Sequence, residues 1–262
     1  MKIFLPLKKI LKLILPNYFI FLYRDHIHTK SIRTLDKKFN GVSNKNIFST
    51  IYKEKLWGTI KSFDRDGNEN LPMSGHGSHD KRYTKPYIEA ITEVFNTSKI
   101  PIKVLDVGCG DFFIGKDLVK MTESYIGADI VPEVIKSISA TYKDLNVNFI
   151  SIDCTRDKLP NSNFLLLRQV LQHLSNKDII DFLANLQRSK TKYLILTELI
   201  PSNNFVPNLD SKTGVFSRLS RGINSGVVLE ESPFDFKYLE RQELLKIRSD
   251  GGYLQTILYK LS

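Results

Sequence analysis

The chain of 262 residues holds only two cysteines, Cys109 and Cys154, and no CxxC pair. That excludes a disulfide framework and a thiolate metal site, and it points to a reducing compartment. It also lacks an uninterrupted apolar run of the about 20 residues that a bilayer-spanning helix needs. Residues 3–23 come nearest, but Lys8, Lys9 and Lys12 interrupt them and Pro6 and Pro16 punctuate them. They also lack the order of charge, apolar core and small-residue cleavage site that marks a secretory signal. Internal repeats and low-complexity tracts are missing too, so the composition is that of a folded protein. Its length suits one α/β domain with an N-terminal extension, and it also allows two small domains.

The charge is lopsided. Residues 1–60 carry twelve Lys/Arg against three Asp/Glu, while the rest of the chain carries 26 against 25. The net charge of +10 is therefore a property of the N-terminal segment. A basic face over the whole fold is not indicated, and nucleic acid is not an expected partner. Between its prolines, Leu7–Leu15 is expected to form a short helix with lysines grouped on one side, followed by Tyr18, Phe19, Phe21 and Tyr23. Basic side chains beside apolar and aromatic ones suit an anionic membrane surface, so residues 1–30 are expected to touch one. Packing onto the domain or a second subunit is the alternative. The chain is expected in the cytoplasm, with any membrane contact peripheral and at the inner face.

The informative stretch starts at Ile100. Lys103 to Val107 reads as a buried strand, and Gly108-Cys109-Gly110-Asp111 as a turn where two glycines allow positive φ and close backbone approach. Phe112 to Met121 then suits a helix. Strand, glycine turn and helix form the nucleotide-cradling unit of a doubly wound sheet. The dinucleotide pattern Gly-x-Gly-x-x-Gly fails at Phe113; what is present is Asp-x-Gly-x-Gly, with Asp106 at the strand end. A carboxylate there repels a pyrophosphate but suits a cationic ligand such as a sulfonium amino acid. A second strand, Tyr125–Ile130, ends in Asp129, in the place of the acid that accepts ribose hydroxyls in such folds. Pro132 opens a helix to about Leu145, and a third strand, 146–153, ends in Asp153.

Val104–Asp111 resembles the first motif of the class I S-adenosylmethionine-dependent methyltransferases. Tyr125–Ile130 and Asn148–Asp153 resemble the second and third, and Asn163–Leu174 the fourth, a strand running into a Val-Leu-Gln-His-Leu helix start. The resemblance covers about residues 99–200 and implies S-adenosylmethionine as cofactor. It implies that Asp106, Gly108, Cys109 and Gly110 hold the methionine part and that Asp129, with Ile130 beside it, holds the ribose. Asp153 and Cys154 would border the adenine, with Arg168 and Gln169 near the methyl group. Many members have a third glycine at the position of Phe112, and aspartate where this chain has Asn163 and Gln169. The Gln169 departure puts an inherited base there in doubt. Trp57-Gly58, Ser74–Ser78, Thr84 and Tyr87 more weakly resemble a leader of bacterial methyltransferases that accompany surface-glycan genes.

The expected architecture is a mostly parallel doubly wound sheet with a C-terminal antiparallel hairpin strand and an N-terminal helical extension. Residues 1–56 would form the basic, apolar extension, 57–98 a leader or lid and first helix, and 99–262 the core. The Gly/Ser segment before the core suits folding over the cofactor, with a plain surface loop as the alternative. A helix over Lys85–Asn96 and a strand over Tyr193–Leu199 are expected. Asp250-Gly251-Gly252 marks the turn of the closing hairpin. Residues 200–238 read as a long loop, with Arg218, Arg221 and Phe234 as contacts to an acceptor. His173 is the best-placed base for an oxygen nucleophile, with packing of the next helix as its structural role. Arg168 joins it as a catalytic candidate. His76, His79 and Asp80 are expected to face solvent, and no metal is expected. The acceptor would be a sugar, a glycan intermediate or another small metabolite, O-methylated. The rival reading is a non-catalytic cofactor binder or membrane-docked scaffold on the same fold.

Overall fold

The computed structural model describes residues 17–58 and 74–261, with residues 17–25 and His76 described by backbone alone. The expected helix Leu7–Leu15 and the aromatic side chains of Tyr18, Phe19, Phe21 and Tyr23 therefore lie outside the described residues. The chain divides into two compact units after Gly41. The first holds one helix, α1 (Asn17–Lys38). No helix among the described residues is long and apolar enough to cross a membrane.

The second unit begins with α2 (Asn44–Lys53), capped by Ser43, so residues 42–56, grouped by sequence with the extension, belong with the core. Helix α3 (Lys81–Thr97) starts four residues before the expected position because Asp80 caps it, accepting from the Arg82 amide at 2.9 Å. Seven strands follow: β1 (Lys103–Val107), β2 (Ser124–Asp129), β3 (Asn148–Ser151), β4 (Phe164–Arg168), β5 (Tyr193–Pro201), β6 (Glu240–Ser249) and β7 (Gly252–Lys260). They form one sheet in the order β3-β2-β1-β4-β5-β7-β6. β1 to β5 run parallel, and β7 pairs antiparallel with both β5 and β6. This is the expected doubly wound sheet with its closing hairpin. The expected third strand is shorter than read, leaving Asp153 two residues beyond its end.

Burial follows the pattern of a sheet covered on both faces: Val104, Leu105, Phe164, Leu165, Leu166, Leu167, Leu194 and Ile195 are enclosed. Helix α5 (Pro132–Thr141) starts on its proline, and α6 (Asn176–Gln187) is capped by Ser175. The helix expected over 112–121 is reduced to α4 (Gly115–Leu118) and a 3-10 turn over Val119–Met121. The reason lies at Phe112, whose φ of +62° keeps it out of helical geometry. Left-handed backbone costs a non-glycine residue about 1–2 kcal/mol. Here packing offsets it: the fully enclosed Phe112 ring meets Tyr125, Tyr142 and Phe149 edge-on at 4.8–5.5 Å. Gly115 is needed beneath that ring, since a Cβ there would lie 2.2 Å from it. The chain thus reaches the conformation of the missing third glycine with an aromatic anchor instead.

Candidate active site

Strand order reverses between β1 and β4, the place where doubly wound sheets open a crevice at their carboxyl ends. A cavity of about 260 Å³ lies there. Its floor over β1, β2 and β3 carries the three acids read from sequence. Asp106, at the end of β1, accepts from the Tyr125 hydroxyl at 2.8 Å. Burial pushes its carboxyl up to about 6, against the pull of Tyr125. Asp129 is likewise pushed up to about 6 by burial, though its two oxygens accept from the Gly110 amide at 3.2 Å and the Val131 amide at 3.0 Å. Asp153 accepts from the Thr155 amide and hydroxyl at 3.0 and 2.7 Å. Burial lifts the neighbouring Cys154 thiol to about 12, so it stays protonated.

Of the residues expected at the cofactor, Asp106, Gly108, Cys109, Asp129, Ile130, Asp153, Cys154 and Arg168 all line this cavity, and Gly110 does not. Gly110, at φ +54°, lies under Ser74: a Cβ on it would meet the Ser74 Oγ at 2.0 Å. The glycine turn is therefore covered by the 74–79 segment. Asp111 fastens the cover. Its Oδ2 takes the Ser74 amide at 3.2 Å and the His79 Nε2 at 2.7 Å, while the Asp111 amide donates to Ser74 Oγ at 2.9 Å. His79 also stacks on Phe113 at 4.2 Å. The expectation of a solvent-facing His79 is corrected, since its ring is tied to Asp111, while Asp80 is at the surface, where it caps α3 and pairs with Arg82. The His76 side chain lies outside the described residues, and among those described no group of His, Cys, Asp and Glu could hold a metal.

Over β4 the wall changes character. It carries Arg168, Gln169 and Gln172, with Trp57 against His173 (ring centroids 5.2 Å apart) and Tyr52 against Trp57 (5.3 Å). The expected helix start at Val170 is a 3-10 turn, Leu171–His173, and α6 begins only at Asn176. Glu198, an enclosed carboxylate on β5, accepts from the amides of Leu171 and Gln172 at 2.9 and 3.0 Å and so fixes that turn. Burial pushes Glu198 up to about 8, against those amides and Arg218. His173 lines the cavity, but burial lowers its imidazole to about 4, so it is neutral near pH 7 and a weak base. Gln169 adopts φ +57°.

The reading of the long loop changes. Arg218, Arg221 and Phe234 do not line the cavity. Arg218 is 1% exposed and acts as a strut, donating to Leu209 O at 2.9 Å, Leu171 O at 3.4 Å and Asn176 Oδ1 at 2.6 Å. Arg221 donates to Lys212 O, and Phe234 is buried. The loop reaches the site from behind: Val215 O accepts from Trp57 Nε1 at 3.1 Å, and the Gly214 amide donates to His173 O at 2.9 Å. Sequence reasoning missed Tyr52, Asp111 and Glu198. Glu198, an acid inside an otherwise apolar strand, was the one visible signal.

Residues 104–191 match the family model of a methyltransferase domain. The matched segment holds the glycine turn together with Asp106, Asp129 and Asp153. Solved structures share the fold. The N-methyltransferase NodS from Bradyrhizobium japonicum WM9, in complex with S-adenosyl-L-homocysteine, is 11% identical, covering 70% of this chain and 89% of its own, with a TM-score of 0.52. Magnesium protoporphyrin IX methyltransferase from Synechocystis PCC 6803, with bound S-adenosylmethionine, is 14% identical, covering 85% and 99%, with a TM-score of 0.53. The N-terminal domain of EvdMO1, in the presence of S-adenosylhomocysteine and D-fucose, is 14% identical, covering 84% and 98%, with a TM-score of 0.52. No curated protein matches the chain.

Proposed function

We propose that this protein is an S-adenosylmethionine-dependent methyltransferase that methylates an oxygen of a sugar, a glycan intermediate or another small metabolite. One observation carries the reading: three strand-end carboxylates, Asp106, Asp129 and Asp153, open with a glycine turn onto one cavity. That donor set fits the cofactor. Carboxylates accept from an ammonium group and from ribose hydroxyls, and they repel the phosphates of a dinucleotide. Asp106 and the Gly108–Cys109 turn would hold the amino-acid end, Asp129 with Ile130 the ribose, and Asp153 with Cys154 the rim of the adenine. The bound cofactor supplies an electrophilic methyl group on sulfur. The chain's own part is alignment, which well-oriented sites use to remove about 7–11 kcal/mol of a barrier. Trp57 and Tyr52 shield the β4 side from water, and the Ser74–His79 cover shields the glycine turn. The N-terminal domain of EvdMO1, which shares this fold, was solved in the presence of S-adenosylhomocysteine and D-fucose, which supports a sugar as the class of acceptor.

Calorimetric titration with S-adenosylhomocysteine and NAD tests the cofactor. The expected result is micromolar binding of the first, none of the second, and loss of binding in Asp129→Ala. A folded protein that ignores S-adenosylhomocysteine would instead favour the scaffold reading. Contact of residues 1–30 with an anionic membrane rests on their sequence. Co-sedimentation with phosphatidylserine vesicles but not with phosphatidylcholine vesicles, lost on removing residues 1–30, is its expected signature.

A further inference from the structure

Most arginines that this fold encloses or orders have partners. Arg218 has three acceptors, Arg82 is paired with Asp80, and Arg241 with Glu230. Arg168 is different. It stands at the end of β4 in the wall of the cavity, and its Nε is buried without a hydrogen-bond partner. Among the described residues no carboxylate or carbonyl bonds its guanidinium. Its Cζ lies 5.4 Å from the centroid of the Tyr87 ring. A buried guanidinium N–H without an acceptor is costly unless an anion completes it, and the planar fork matches a carboxylate in bidentate fashion.

Arg168 ends β4, the strand paired with β1, so it stands beside Asp106 and shares the wall with Gln172 and His173. Asp129 and Asp153 lie on β2 and after β3, one and two strands beyond β1. Resting on the methyltransferase reading above, we propose that Arg168 holds a carboxylate of the acceptor and that one of that carboxylate's oxygens receives the methyl group, giving a methyl ester. In the transfer a lone pair of the carboxylate oxygen forms the new O–CH₃ bond. The CH₃–S bond breaks and its electron pair stays on sulfur, so the two opposite charges are consumed and no proton moves. The groups around Arg168 agree with a step that needs no base. His173 is held near 4, and burial raises Tyr52 and Tyr87 so that both keep their protons. Glu198 is directed at the amides of Leu171 and Gln172.

The test compares wild type, Arg168→Ala and Arg168→Lys with S-adenosylhomocysteine bound. Glucuronate and benzoate are each set against their neutral counterparts, glucose and benzyl alcohol. Thermal shift reads binding, and transfer of labelled methyl from S-adenosylmethionine, with alkaline release of labelled methanol, reads ester formation. The expected result is that the carboxylates bind and their neutral counterparts do not, with alkali-labile product. Arg168→Ala should lose about 100-fold in ester formation and Arg168→Lys about tenfold, both keeping S-adenosylhomocysteine affinity within about threefold of wild type. Four results would overturn the proposal. Neither carboxylate exceeds its neutral counterpart; the methylated product is alkali-stable; Arg168→Ala forms ester as well as wild type; or Arg168→Ala loses cofactor affinity to the same extent, which would assign the fork to the cofactor's own carboxylate. Wild type that fails to bind S-adenosylhomocysteine at all removes the methyltransferase reading itself, a result separable from the other four.

Discussion

The two halves of the cavity are built from chain in different ways. The half over β1, β2 and β3 comes from one continuous stretch, Asp106 to Cys154, in which each strand ends at the rim and delivers an acid there. The half over β4 is collected from α2, the Trp57 turn, the 74–79 cover, α3 and the turn after β4. The first half is charged and repetitive; the second is aromatic, with one unpaired cation. A ligand shared by a whole fold class can be held by repeated local units. A ligand particular to one protein calls for side chains gathered from distant positions.

The largest effect expected separates the site from its support. Arg218→Ala leaves the Leu171 and Leu209 carbonyls and Asn176 Oδ1 without their buried donor, and each buried acceptor left unsatisfied costs about 1–3 kcal/mol. Denaturant unfolding should show that loss while S-adenosylhomocysteine affinity, in whatever folded fraction remains, stays near wild type. Equal loss of affinity would mean that the loop belongs to the acid half after all.

The next sharpens the acid half itself. Asp129→Asn removes the charge but keeps one acceptor oxygen, and the weakened charge-assisted bonds should cost about 1.5–3 kcal/mol of cofactor affinity by calorimetry. The same half should respond to pH. Asp106 and Asp129, both held near 6 by burial, take up protons in the empty cavity as pH falls through 6. The ammonium group needs an ionised Asp106 and the ribose hydroxyls donate best to an ionised Asp129, so affinity should be flat above about pH 7 and weaken below 6, approaching tenfold per pH unit for each proton displaced. Affinity that strengthens on acidification would remove the carboxylates from the binding role.

The smallest effect belongs to the other half. Trp57 is the single tryptophan of the chain, so its emission reports on the β4 wall alone. Glucuronate added to the complex with S-adenosylhomocysteine should shift that emission. Trp57→Phe keeps the ring but loses the bond to Val215 O and should cost about 1 kcal/mol of stability. Emission that answers to S-adenosylhomocysteine but not to the acid would blur the division between the halves.

The contrast also explains what could be read in advance. Strand-end acids and a glycine turn are local patterns, so Asp106, Asp129 and Asp153 and the sheet itself were legible. Phe112 shows the limit of reading by motif. The missing third glycine looked like a departure, yet Phe112 adopts the left-handed backbone that favours glycine, anchored by three rings that meet only in the fold. Arg218 shows another limit. An arginine in a polar loop reads as an exposed contact, and only packing reveals it as an enclosed strut.

By itself the sequence determined the order of strands and helices, the glycine turn and the acids at or just past three strand ends. Each follows from side-chain periodicity, turn chemistry and spacing, which act over a few residues. Tertiary structure alone decided that Asp111 fastens Ser74 and His79 over the glycine turn, that Glu198 fixes the His173 turn, that burial leaves His173 a weak base, and that Arg168 stands unpaired. Those outcomes depend on which distant groups share a desolvated space. There the cost of burying a charge and the availability of a partner are set by neighbours that the local sequence does not name.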